Sequence, residues 1–147
     1  MSLKYSITLS SFRNIAEPLE QTLDKLLEQR YDAIEMFGEP EKLQLKYLQD
    51  VFQSYDVSVC GVTGMWGTIS PDGWKRKLLS SDPTFIRASQ KYVKQCIQMC
   101  QLLGGKKLNI CLFADDNLVS IDKNHQVISE GQKKPVIRRV LPVLSEL

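Results

Sequence analysis

Two segments are the most informative about the fold: Lys4-Tyr5-Ser6-Ile7-Thr8-Leu9-Ser10 and, further along the chain, Ala33-Ile34-Glu35-Met36-Phe37. Polar and apolar residues alternate along the first segment, and the second is a short run of strand-forming residues, so both are predicted to be β-strands. Between them, leucines recur at the spacing of one helix face: Leu19, Leu23, Leu26 and Leu27. The stretch therefore predicts a βαβ unit.

The same alternation of strand and helix continues to the end of the chain. Asp82-Pro83 suits the start of a long helix, and Gly104-Gly105 ends it. Both tryptophans fall in a predicted loop from Thr63 to Ser81, and a polar stretch covers 114–134. We predict one domain over 1–147, with strands at 4–10, 33–37, 57–62 and 108–113 and helices at 19–27, 45–55, 82–103 and 135–147.

The faces of the predicted strands distinguish a doubly wound open sheet from part of a barrel. Both faces of a doubly wound sheet lie under helices, so its strands are continuous apolar runs. Here one face is apolar: Tyr5, Ile7, Leu9, Ile34, Met36, Val57, Val59, Leu108, Ile110 and Leu112. The other is polar or small: Ser6, Thr8, Ser10, Glu35, Ser58, Cys60, Asn109 and Cys111. No phosphate-binding glycine motif follows the first strand, so the pattern favours an α/β barrel of the TIM type.

The length accommodates only part of such a barrel. A complete barrel of eight units takes roughly 250 residues, and these 147 residues hold four. We therefore expect four parallel β/α units that form the N-terminal half of a (β/α)₈ barrel. An open sheet of four strands exposes two edges, so we expect a homo-oligomer or a C-terminal half that covers them.

Charge and composition exclude several classes of partner. The balance of 43% hydrophobic and 24% charged residues is that of a globular chain, and 19 basic residues against 17 acidic ones leave a net charge of only +2. This balance predicts neither a nucleic-acid nor a membrane partner. Without a signal peptide or an apolar run of roughly 18 residues, a cytoplasmic location with four reduced cysteines is expected.

Several of these segments resemble a known family. The first two predicted strands with Gly38, Asp82-Pro83-x₃-Arg87, Leu102-Leu103-Gly104-Gly105 and Asn109-Ile110-Cys111-Leu112-Phe113 are similar to the N-terminal half of xylose isomerase-like TIM barrels, the sugar phosphate isomerase/epimerase family. The resemblance covers about residues 4–147. It implies a metal-dependent enzyme of carbohydrate metabolism that moves a proton between adjacent carbons of a ketose or aldose.

The resemblance also bears on cofactor, substrate and site. It implies a divalent metal (Mn, Mg, Co or Zn) and a small-molecule sugar or sugar phosphate as substrate. In that family the catalytic glutamates and the metal ligands lie on strands five to eight, so no catalytic or metal-binding residue is expected in this chain. The substrate-facing rim that it implies consists of Ser10, Glu35, Phe37 and Trp66.

Two of these residues, Glu35 and Trp66, also have a simpler interpretation. A carboxylate on a short apolar strand must be paired or functional, and Glu35 could instead bond a backbone N–H or a lysine. Trp66 could stack on a sugar or only cover the core. If both serve a barrel site, they face one concavity at the carboxyl ends of the strands. The strand ends lack the histidines of the related endonuclease IV type nucleases; His125 is expected in a solvated loop, and the cysteines in the core.

Two functional hypotheses remain open from the sequence. The first is the N-terminal half of a sugar isomerase or epimerase that is truncated and inactive alone. The second is a standalone half-barrel that serves as a binding or scaffold module and oligomerises through its open sheet.

Overall fold

The computed structural model describes residues 4–9, 18–64 and 73–111, together with Pro142 and Ser145. Four strands occur there, β1 (Ser6–Thr8), β2 (Ala33–Phe37), β3 (Ser58–Gly64) and β4 (Lys107–Ile110). They alternate with the helices α1 (Leu19–Glu28), α2 (Leu45–Ser54) and α3 (Pro83–Leu102), and a short 3₁₀ helix at Gly73–Lys75 precedes α3. The predicted order is thus confirmed from the first strand to the fourth. The predicted helix at 135–147 lies outside the described residues except for Pro142 and Ser145, both helical.

The four strands form one parallel sheet in the order β1-β2-β3-β4. In a doubly wound sheet the strand order reverses at a switch point, whereas each strand of a barrel lies beside its successor in the chain. The consecutive order therefore confirms the barrel architecture, and the described strands correspond to half of a TIM barrel.

The three helices end in the same way, with one residue in the left-handed region. Arg30 (φ 59°), Asp56 (φ 52°) and Gly104 (φ 79°) follow the last turns of α1, α2 and α3. In each case the next N–H donates to a carbonyl five residues earlier, at Leu26, Phe52 and Cys100 respectively. These hydrogen bonds are characteristic of Schellman motifs, which satisfy the free carbonyls of a helix end. Each motif turns the chain directly into the following strand.

The core lies between one face of the sheet and all three helices. Ile34, Met36, Val59 and Val62 supply the sheet side of this core. The helices contribute Leu23 and Leu26 from α1, Leu48, Val51 and Phe52 from α2, and Tyr92, Val93, Cys96, Met99 and Cys100 from α3. Ile34 and Met36 are buried and flank Glu35, as the predicted alternation requires.

A β-bulge in β3 changes the alternation that the sequence predicts. Ile34 pairs with Val59, but Glu35 pairs with Gly61, so Cys60 has no partner in β2. The inserted residue shifts the phase of the rest of the strand by one position. As a result Thr63 lies on the face of Glu35, and the prediction of a strand that ends at Val62 with a loop from Thr63 was wrong.

The other strand boundaries shift by a few residues. β1 is shorter than the predicted strand at 4–10, and β4 begins at Lys107 rather than at Leu108. Residues 112 and 113 of the predicted fourth strand lie outside the described part of the chain. In that part, no helix is both long enough and apolar enough to cross a membrane.

Candidate functional site

The carboxylate of Glu35 lies on the polar face of the sheet between two threonines. The Thr8 hydroxyl donates to Glu35 Oε2 over 2.9 Å, and the Thr63 hydroxyl donates to Glu35 Oε1 over 2.7 Å. The two threonines come from β1 and β3, the strands on either side of β2. One carboxylate thus bridges three consecutive strands.

The strand register explains why these three side chains meet. Thr8 is the direct partner of Glu35 in β1. In β3 the direct partner is Gly61, which has no side chain, and the bulge places Thr63 two residues further along on the same face. Since Gly61 leaves the space beside Glu35 open, the Thr63 hydroxyl approaches the carboxylate from the carboxyl end of the sheet.

The two threonine hydroxyls fix the orientation of the Glu35 carboxylate but leave it able to accept further hydrogen bonds. An ionised carboxylate has about four acceptor positions, and the two hydroxyls use one on each oxygen. Glu35 remains half-buried rather than enclosed. The remaining positions can accept hydrogen bonds from the hydroxyl groups of a ligand on the polar face. The sequence also allowed a carboxylate bonded to a backbone N–H or a lysine. Among the described residues the two partners of Glu35 are instead threonine hydroxyls.

The structure describes two of the four residues predicted to contact substrate. Phe37 lies two positions after Glu35 on the same strand, at the carboxyl end of β2, and is only 7% exposed. Ser10 and Trp66 lie outside the described residues. Thr63 is the site residue that the sequence interpretation missed. One sign of it is visible in the sequence. The apolar residues Val59 and Val62 are an odd number of positions apart, with Gly61 between them, which breaks the alternation of a regular strand.

A second polar cluster lies just beyond the carboxyl end of β2. Glu39 is 2% exposed and forms a bidentate ion pair with Arg76, with Nη1 to Oε1 at 2.8 Å and Nη2 to Oε2 at 2.9 Å. The guanidinium carbon of Arg76 lies 3.8 Å from the centre of the Tyr92 ring, a cation–π contact. The Tyr92 hydroxyl donates to the carbonyl of Gly38. The sequence interpretation did not identify this cluster.

Two groups of this cluster have shifted pKa values. Burial alone would lower the pKa of Arg76, but the hydrogen bonds to Glu39 and the nearby Tyr92 outweigh it, so the pKa is raised and the charge is kept. Burial also raises the pKa of the Cys96 thiol to about 11, although the neighbouring Tyr92 hydroxyl and the charge of Arg76 act in the opposite direction. Cys96 is therefore a neutral thiol in the core.

The described residues do not fit the divalent metal that the resemblance implies. Segments 4–9, 18–64 and 73–111 contain no group of three or more His, Cys, Asp or Glu residues that could hold a metal ion. Glu35 is the only carboxylate on the polar face of the described strands, and threonine hydroxyls already bond both of its oxygens. A divalent site needs more oxygen or nitrogen ligands than this.

Comparison with known proteins bears on the fold. No protein-family model matches the sequence, and no curated protein matches it. The structure is similar to that of D-psicose 3-epimerase from Clostridium cellulolyticum H10, solved with D-tagatose, with a TM-score of 0.62 and 13% sequence identity. The match covers 97% of this chain and 48% of the epimerase chain, so this chain spans about half the length of that protein. The likeness shows that the fold is that of half a TIM barrel.

Proposed function

We propose that this chain is the N-terminal, sugar-binding half of a divalent-metal-dependent sugar isomerase or epimerase. The single observation that carries the proposal is the Glu35 carboxylate, which two threonine hydroxyls hold on the polar face of the sheet. The likeness of the fold to a sugar epimerase supports the choice of substrate class. The substrate class is a ketose or aldose, free or phosphorylated, and the reaction transfers a proton between adjacent carbons.

In this proposal Glu35 binds and orients the sugar. A sugar hydroxyl donates to a free acceptor position of the carboxylate, while Thr8 and Thr63 prevent the carboxylate from rotating. Such a charge-assisted hydrogen bond is stronger than a bond between neutral groups. Ser10 and Trp66, with the small exposed part of Phe37, are proposed to complete the rim that contacts the sugar. No step is assigned to a metal, because the described residues do not form its site.

A binding titration tests this proposal. The 147-residue chain is titrated with D-psicose, D-tagatose and a hexose 6-phosphate, and binding is monitored by ligand-observed NMR. Glu35→Gln is the informative variant, because its amide still hydrogen-bonds both threonines while the negative charge is lost. Since a hydrogen bond to a charged group contributes about 1.5–3 kcal/mol, we expect binding to weaken about tenfold or more. Stronger binding of the phosphate ester than of the free sugars would identify a sugar phosphate as substrate.

Asp50→Asn is the matched control, because it also removes one carboxylate charge. Asp50 forms an exposed ion pair with Lys46 on α2, away from the polar face. The control should bind sugar as the wild type does. Equal binding by wild type and Glu35→Gln, or no binding by the wild type, would contradict the proposal.

The proposal includes expectations about activity and location. We expect no epimerase or isomerase turnover by this polypeptide alone, with or without Mn²⁺ or Mg²⁺, because no catalytic residue is assigned to it. Turnover that disappears in Glu35→Ala would contradict that expectation. A cytoplasmic location is also proposed, and the four free cysteines, Cys60, Cys96, Cys100 and Cys111, support it.

A second candidate function is that of a standalone half-barrel for binding or scaffolding. It is favoured by the position of β1 and β4 at the two edges of the described sheet, where another chain could pair. The coding sequence downstream of Leu147 distinguishes the candidates. A continuation with a glutamate-bearing strand favours the enzyme half, and a stop codon in the native gene favours the module.

A further inference from the structure

The ion pair between Glu39 and Arg76 is connected to Glu35 by a short series of contacts. Glu39 follows Gly38, whose N–H donates to the carbonyl of Thr63 over 2.7 Å. The hydroxyl of the same Thr63 donates to Glu35 over 2.7 Å. The backbone bond from Gly38 to Thr63 therefore lies between the buried ion pair and the candidate site.

Gly38 is held from several sides. Its carbonyl accepts the Tyr92 hydroxyl, and the Tyr92 ring packs under the guanidinium of Arg76. A Cβ atom at Gly38 would lie 2.7 Å from Cys96 Sγ and 3.0 Å from the Cα atom of Gly64. Gly38, directly after β2, thus has no room for a side chain between β3 and α3, and the ion pair fixes Glu39, the residue that follows it.

The ion pair is more suited to fixing geometry than to adding stability. A buried ion pair often contributes little net stability, because the cost of removing two charges from water offsets their attraction. A bidentate pair between a guanidinium and a carboxylate, however, allows only one relative orientation. Arg76 comes from the connection between β3 and α3, and its side chain is 13% exposed. It therefore fastens this connection to the end of β2 in one defined position.

We propose that Glu39 and Arg76 are positioning residues for the candidate site. They hold Gly38 against β3, and this contact keeps Thr63 in the position from which its hydroxyl fixes the Glu35 carboxylate. The effect on sugar binding rests on the proposed function, whereas the effect on the backbone does not.

Amide hydrogen exchange, measured by NMR in the 147-residue chain, tests whether the ion pair stabilises the hydrogen bond from Gly38 to Thr63. Arg76→Lys keeps the positive charge but loses the two parallel hydrogen bonds. Asp32 is the internal reference, because its N–H donates to the Tyr5 carbonyl at the opposite end of β2. We expect the Gly38 exchange rate, divided by that of Asp32, to rise at least tenfold in Arg76→Lys. Glu39→Gln, in which the carboxylate becomes an amide, should show the same change and serves as the second variant.

Lys46→Arg is the control, because it changes the exposed ion pair with Asp50 by the reverse substitution. It should leave the exchange ratio unchanged. An unchanged ratio in both Arg76→Lys and Glu39→Gln would overturn the proposal, since the end of β2 would then be fixed without the ion pair. A rise of the same size in Lys46→Arg would overturn it as well.

Sugar titration of the same variants tests the link to the site. We expect Arg76→Lys to bind the sugar several-fold more weakly than the wild type, although Arg76 is not assigned any contact with it. Unchanged binding with a raised exchange ratio would overturn the positioning role. Absence of binding by the wild type would contradict the proposed function instead, and the exchange ratio would still decide whether the ion pair fixes the end of β2.

Discussion

Gly61 shows how a single residue sets the approach of two strands. A Cβ atom there would lie 2.5 Å from the carbonyl oxygen of Lys107 in β4, closer than real Cβ atoms come to any atom. Because that oxygen belongs to the backbone, β4 would have to move. We expect Gly61→Ala to lower the free energy of unfolding in urea by about 1–3 kcal/mol, the usual cost of overpacking.

Gly64 provides the matched control in the same strand. A Cβ atom at Gly64 would make ordinary contacts, at 3.6 Å from both Cys96 Sγ and Leu108 Cδ1. Gly64→Ala should therefore be neutral or stabilise by up to about 1 kcal/mol, since alanine reduces the freedom of the unfolded chain. Equal destabilisation by both substitutions would show that the β3–β4 spacing does not depend on Gly61.

At the level of elements, the carboxyl ends of α1 and α2 can be stabilised by substitution with glycine. Arg30 and Asp56 adopt the left-handed conformation that Gly104 adopts after α3. This conformation costs an ordinary residue roughly 1–2 kcal/mol, and less for aspartate, which tolerates it better. We expect Arg30→Gly to raise the free energy of unfolding by about 0.5–1 kcal/mol, and Asp56→Gly to raise it less.

The control for these substitutions is Glu28→Gly, inside the last turn of α1. There glycine should destabilise by about 1 kcal/mol, because the residue is helical and gains nothing from left-handed freedom. Thermal and urea unfolding of the three variants measures the difference. A loss of stability in Arg30→Gly would mean that contacts of the arginine side chain outweigh the backbone strain.

The Cys96 thiol makes the stability of the α3 packing depend on pH. Its pKa is raised by burial from 9.0 to about 11 in the folded chain. Between these values the unfolded chain releases the thiol proton while the folded chain keeps it, so the free energy of unfolding falls as the pH rises. The part due to Cys96 is fully present below pH 9 and is lost as the pH rises toward 11.

Cys96→Ala isolates this contribution from the other groups that titrate in the same range. We expect the stability difference between wild type and Cys96→Ala in urea to shrink by about 1 kcal/mol between pH 8 and pH 10. A difference that stays constant over this range would show that Cys96 titrates at its ordinary value in the folded chain.

At the level of elements, the sequence predicts the helices and strands that have a regular apolar spacing. It does not predict the β-bulge, in which one inserted residue shifts the alternation of a strand. The burial of Leu23 and Leu26 in α1 and the flanking of Glu35 by Ile34 and Met36 follow from local patterns, and the structure confirms both. Leu27, predicted on the same helix face, is 42% exposed. The bulge at Cys60 depends on how β3 pairs with its neighbours, and its only local sign is the change of alternation between Val59 and Val62, so strict alternation left Thr63 outside the strand. The ion pair between Glu39 and Arg76 joins residues 37 positions apart, which no local pattern connects.

At the level of the whole molecule, the barrel class was predictable because both its signals are short-range. One is the alternation of strand and helix, and the other is the contrast between an apolar and a polar strand face. The consecutive strand order then follows from the tendency of successive parallel units to lie side by side. The chemistry of the site needs contacts between strands, so the sequence pattern put Thr8 and Glu35 on one face but did not identify Thr63, which completes the contacts of Glu35.

The edges of the sheet lead us to expect that the chain self-associates. In the part of the chain that the structure describes, β1 and β4 are the outer strands of the sheet, and β1 begins beside the exposed ring of Tyr5. An unpaired edge strand offers its backbone N–H and C=O groups to another chain, whereas a closed barrel has no such edge. A two-fold partner satisfies both edges at once, since β1 of each copy can pair with β4 of the other in parallel.

We therefore expect the 147-residue chain alone to form a dimer or a larger assembly. The match to 48% of an epimerase chain is consistent with a dimer, because two chains of this length make up about one barrel. Size exclusion with light scattering at several concentrations measures the mass, and dilution should shift the population toward the monomer. A stable monomer of 16.8 kDa that unfolds cooperatively on heating would contradict this expectation, because the edges of β1 and β4 would then have to be covered by residues of the same chain.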